Sequence, residues 1–147
     1  MGMSFIERLE NFLQQVFDDM LIMLEYDEEF GYDVVNEVVL IPHNPHVELY
    51  SEFVEPFLDS VRRLGGSTDT YCTYYWSLMH EVGHFYTIDD IENDDSDLRE
   101  LCCALGVESM EMYTNLPAEK AATGWAVQWT QDNPELAQKI NEFVTPS

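Results

Sequence analysis

His80-Glu81-Val82-Gly83-His84 places two imidazoles four residues apart with a carboxylate directly after the first. On a helix, residues four apart share a face, so His80 and His84 can aim at one ion. Zinc takes nitrogen, oxygen or sulfur donors in a tetrahedron, and a catalytic centre leaves one position for water. Glu81 stands on the same rim and can take a proton from that water, whose pKa the metal lowers towards neutrality. The chemistry such a pattern supports is metal-assisted hydrolysis. The competing reading is a pair of satisfied core histidines. Two details favour the metal. Gly83 costs a helix about 1 kcal/mol relative to alanine, which calls for a reason such as close approach of a neighbouring strand. The apolar flanks "WSLM" and "FY" put the histidines on a dry face where polar rings need partners.

A third donor is needed. Thr87 and Asp90 stand where a longer histidine motif would place its glycine and third histidine, and no histidine follows His84. The donor must then be a downstream carboxylate or come from before the helix. Asp89, Asp90, Glu92, Asp94 and Asp95 belong to an acidic, turn-rich stretch, a weak location for a rigid ligand. Glu108, Glu111 and Glu119 are better placed. His43 and His46 flank a proline turn and read as exposed turn residues, with cleft lining as the alternative. Tyr86 or Tyr113 could donate to a developing oxyanion, and packing is the default reading of both.

"HEVGHFY" followed by "LPAEKAATGWAVQW" resembles the ImmA/IrrE family of metallopeptidases. The second motif of that family has the form E-x-x-A-N-x-F-A. Glu119, Ala122, Thr123, Trp125 and Ala126 occupy it here, with Thr for Asn and Trp for Phe. The resemblance implies His80, His84 and Glu119 as zinc ligands, Glu81 as general base, and a helix, strands, motif helix, ligand helix layout. It also implies a protein substrate, since members of the family cut or disable helix-turn-helix repressors of phages and other mobile elements. Independently of the family, small Ala122 and Ala126 share a face with Glu119 and would let its helix pack closely on the histidine helix. Otherwise Glu119 is an exposed first-turn acid favoured by the helix dipole.

The elements that must hold these residues can be read from the periodicity. The spacing predicts an amphipathic helix over 4–25, opened by a Ser4/Glu7 capping box. A β-branched run predicts one strand over 33–42, and a helix follows over 47–64, bent near Pro56 and ended by Gly65-Gly66. The motif helix is expected over about 69–86, capped by Ser67 or Asp69. An acidic loop, a short helix broken at Gly106, and helices over about 118–130 and 134–143 complete the chain. The expected fold is one mainly helical α+β domain across all 147 residues, with a small sheet.

The charge is lopsided: 29 Asp and Glu against 6 Lys and Arg, a formal net charge of -23. That balance argues against direct nucleic-acid binding and anionic membranes, and it either attracts a basic protein partner or simply keeps the protein soluble; a basic helix-turn-helix repressor is the partner that the resemblance implies. It also supports a different class of function, a non-enzymatic acidic binder that mimics DNA and carries a relic or structural metal site. The third option is metal binding without hydrolysis. Cys72, Cys102 and Cys103 form no C-x-x-C pair and read as reduced thiols. The first residues fit neither a secretory leader nor N-myristoylation, because Ile6 stands where Ser or Thr is required. No stretch is long and apolar enough to span a membrane, and a cytoplasmic protein is expected.

Overall fold

Ser4 caps the first helix, its Oγ accepting the Glu7 N–H at 3.3 Å, and helix α1 runs Phe5–Val16. These and the following contacts come from a computed structural model, which describes residues 4–19, 21–27, 31–33, 36–42, 51–87 and 117–145. Leu9 and Leu13, one turn apart, are fully buried. The helix is shorter than the predicted 4–25. The N–H of Phe17 closes on the Leu13 carbonyl, and Gln14 Nε2 donates to the Phe17 carbonyl at 3.1 Å. Asp18 and Asp19 follow, charges that the negative end of a helix disfavours. Beyond them the period changes to two: Leu21 and Met23 are exposed, while Ile22 and Leu24 are buried. The apolar spacing that continues the helical pattern is in fact strand alternation, and it leads into β1, Leu24–Asp27.

The predicted strand over 33–42 is divided. β2 is Gly31–Asp33 and β3 is Val38–Pro42. Between them the Asp33 carboxylate accepts the N–H of Asn36 at 3.2 Å and its side-chain amide at 2.8 Å. Glu37 adopts a left-handed φ of 57°. An aspartate that bonds its own turn competes with strand pairing, which is why the run breaks there. The sheet order is β1-β3-β2, with β1 parallel to β3 (Leu24 opposite Val39) and β2 antiparallel to it (Tyr32 opposite Val39). Among the described residues β1 is therefore an edge strand. The N–H groups of Leu24 and Ile22 are accepted by side chains of α1, Glu10 Oε2 and Gln14 Oε1, each at 2.9 Å.

Helix α2 spans Ser51–Arg63, with Pro56 inside it, and the predicted start at 47 lies outside the described residues. It ends as the sequence suggests. Gly65 takes a φ of 101°, its N–H bonds the Arg62 carbonyl, and the Gly66 N–H bonds that of Val61. This pairing is a Schellman motif, which needs a left-handed residue where glycine stands. Helix α3, Thr73–Thr87, is the motif helix, and it starts four residues after the expected boundary. Ser67 caps a separate turn instead, accepting the Thr70 N–H at 3.1 Å. The Cys72 N–H just before α3 is accepted by Asn141 Oδ1 at 2.9 Å, tying that end to the last helix.

Helices α4, Pro117–Asp132, and α5, Pro134–Val144, complete the described residues. The core gathers Leu9 and Leu13 from α1, Ile41 from β3, Val61 from α2, Tyr75, Trp76, Leu78, Met79 and Val82 from α3, and Ile140 and Val144 from α5. Helix α3 runs through the middle of it, with residues 74–80 all buried. The result is the expected mainly helical α+β domain with a small sheet. No helix among the described residues is long and apolar enough to cross a membrane.

Candidate metal centre

His80 lies on the buried stretch of α3, a polar ring among Leu78, Met79 and Val82. Its neighbour one turn on, His84, meets it edge to face, with ring centroids 4.6 Å apart at 85°. Their Nε2 atoms are 3.1 Å from each other. The third group comes from the first turn of α4. Glu119 is 4% exposed, with Oε1 3.5 Å from His80 Nε2 and Oε2 2.9 Å from His84 Nε2.

Gly83 explains how a carboxylate from another helix gets so close. A Cβ built on it would lie 2.5 Å from the Ala122 carbonyl oxygen and 3.1 Å from the Ala122 Cα. Only a hydrogen at this position lets the two backbones touch. The glycine does mark a close approach, as its cost within a helix implies, but the neighbour is helix α4 and not a strand. Ala122 and Ala126, both buried, supply the small facing surface. Glu119 is one turn before Ala122, so the backbone contact delivers it to the histidines.

Burial alone would push the Glu119 carboxyl up. Hydrogen bonds from His80 and His84, together with their charge, outweigh that and hold it below the usual carboxylate range. The other ring nitrogen of His80, Nδ1, is 2.8 Å from Thr123 Oγ1, a hydroxyl buried on the next turn of α4. Phe57 of α2 meets the His80 ring edge to face at 5.4 Å. Glu81 is half-buried, and one donor atom from each of His80, Glu81 and His84 lies within 4.8 Å of the others.

This His80–Glu81–His84 group can hold a metal ion. The donor set also passes a geometric test. Donors about 2.0–2.1 Å from a tetrahedral ion stand about 3.3–3.4 Å from one another. The separations among His80, His84 and Glu119 (3.1, 3.5 and 2.9 Å) bracket that value.

Four residues picked from the sequence, His80, Glu81, His84 and Glu119, are thus neighbours in space. Tyr86 is placed elsewhere: its hydroxyl donates to Asp19 at 2.7 Å and its ring stacks on Trp125, 4.8 Å between centroids. An oxyanion role for it is not what this placement supports. Glu108, Glu111, Tyr113, His43, His46, Cys102, Cys103 and the acidic stretch from Asp89 to Asp95 lie outside the described residues. Cys72 is a free thiol. Thr123 and Phe57 were not candidates. A polar residue four after Glu119 falls on the same helix face, a signal that could have found Thr123, whereas nothing in the local pattern singles out Phe57.

No family model matches the chain, and no curated protein or solved structure matches it.

Proposed function

We propose that the chain is a zinc-dependent peptidase whose metal is held by His80, His84 and Glu119, with Glu81 as general base. The observation that carries this reading is the buried Glu119 carboxylate, with one oxygen turned to each histidine Nε2. Two imidazoles and one carboxylate form a ligand set that zinc uses in hydrolytic enzymes, one coordination place being left open. Between the two carboxylates, Glu119 has the better claim to the metal because it is buried against both rings. Glu81, half-buried and next to His80 in the chain, is the carboxylate left to carry the proton.

The metal, when bound, supplies Lewis acidity, which polarises a carbonyl and makes water nucleophilic at neutral pH. Glu81 takes the proton of the attacking water on a carboxylate oxygen and passes it to the departing amine nitrogen as the C–N bond breaks. His80 and His84 stay on the rigid, buried α3 and contribute orientation. The net charge of -23 draws basic substrates, and a basic helix-turn-helix repressor suits both the charge and the family resemblance.

The test is metal analysis of protein purified without added metal, together with Glu81→Gln. About one zinc per chain, retained in the variant while hydrolysis of a basic protein disappears, is the expected result. Protein without stoichiometric metal overturns the proposal. The same charge favours a second reading, a non-enzymatic acidic binder. In that case Glu81→Gln leaves binding to a basic partner and the biological effect unchanged.

A further inference from the structure

The Nε2 atoms of His80 and His84 stand 3.5 and 2.9 Å from the two carboxylate oxygens of Glu119. The other ring nitrogen of His80, Nδ1, lies 2.8 Å from Thr123 Oγ1. A neutral imidazole has one hydrogen, so a His80 that offers its Nε2 lone pair to a metal carries that hydrogen on Nδ1, where the threonine hydroxyl stands to accept it.

We infer that Thr123 is a positioning residue that holds His80 in the Nδ1–H form and keeps the Nε2 lone pair aimed at His84 and Glu119. Its purpose rests on the metal-centre reading, although its geometry does not. Thr123 is 2% exposed, so its hydroxyl has no bulk water to turn to. Two other buried threonines in these helices use theirs conventionally: Thr87 donates to the Gly83 carbonyl and Thr130 to that of Ala126. The Thr123 hydroxyl lies against an imidazole from another helix. Because Thr123 is four residues after Glu119, one face of α4 supplies both the carboxylate beside the two Nε2 atoms and the hydroxyl behind His80. A metal-bound histidine needs its far nitrogen engaged in this way, which fixes both tautomer and ring orientation.

The experiment compares wild type with Thr123→Val, which keeps the shape and removes the hydroxyl, and Thr123→Ser, which restores it. Nitrogen-15 NMR of the metal-free proteins reads the tautomer of His80, chelator competition reads zinc affinity, and circular dichroism checks the fold. The inference expects Nδ1–H in wild type, a mixed population in Thr123→Val with zinc bound about 10- to 100-fold more weakly, and recovery of both in Thr123→Ser. A wild-type tautomer with hydrogen on Nε2, or a Thr123→Val protein with unchanged tautomer, overturns it. A changed tautomer with unchanged zinc affinity overturns the role towards the metal. If wild type binds no zinc, the peptidase reading fails, and the tautomer measurement still decides the hydroxyl's part.

Discussion

Replacing Gly83 by alanine should separate the two helices that build the metal centre. The added Cβ would stand 2.5 Å from the Ala122 carbonyl oxygen, and relief to an ordinary contact takes about 0.9 Å of movement in a packed interior. The obstructing atoms are backbone, so no rotamer change can provide it, and the first turns of α4 must move. Glu119 travels with them. An outward shift of that size takes its 2.9 Å contact with His84 beyond hydrogen-bond range. Overpacking of this kind costs about 1–3 kcal/mol, and better helix propensity returns about 1 kcal/mol. The net loss is about 0–2 kcal/mol, at most about 8 °C in Tm for a chain of this size. Zinc affinity should fall about 10- to 100-fold, as when the support of a ligand is disturbed. Thermal melts of the metal-free protein and chelator competition measure the two effects separately. A variant as stable as wild type or more so, with undiminished affinity, would show that the helices do not touch through Gly83 and refute the reasoning.

Glu119→Gln keeps the volume and removes the charge, and zinc affinity should drop by more than about 100-fold, beyond the effect of losing an outer-shell partner. Wild-type affinity in chelator competition would hand the third place to another donor. Tyr86→Phe loses only the hydrogen bond to exposed Asp19, so stability should fall by about 1 kcal/mol or less with hydrolysis unchanged. A kcat loss near 100-fold would return that hydroxyl to the reaction centre. Burial raises the pKa of Tyr74 and Tyr75, against the hydrogen bond with Thr130 in the second case. Folded-state values above the unfolded ones confer stability that is complete below about pH 10 and lost as pH rises through the folded values. The urea midpoint should therefore decline above that pH, with part of the phenolate absorbance appearing only on unfolding.

The candidate metal centre was legible because its residues obey local rules. His80, Glu81 and His84 sit within five residues, and Glu119, Ala122 and Ala126 mark one face of a second helix. Helix α2 was equally clear at its end, where paired glycines supply the left-handed turn. The far half of the first predicted helix was not. Phe17, Leu21 and Leu24 continue its spacing, yet Ile22 and Leu24 face the core alternately with Leu21 and Met23. Short apolar runs satisfy both periods, and only the docking of β1 beside β3 decides between them. The start of α3 was misplaced for a similar reason. Ser67 is a sound cap residue, but the choice of boundary is influenced by Asn141, 69 residues away from Cys72.

Glu10 and Gln14 stand one turn apart on α1 and occupy the amides of Leu24 and Ile22 where another strand would otherwise pair. The first helix thus shields a sheet margin as well as filling the core. If α1 lifts off while the rest stays folded, those amides open beside Leu21 and Met23, which are already exposed. That is the composition of a surface on which a second molecule can extend the sheet. Resistance to aggregation then depends on the opening free energy of one twelve-residue helix, a smaller quantity than the stability of the whole domain. A protein can be well folded by every global measure and still aggregate through that one local event.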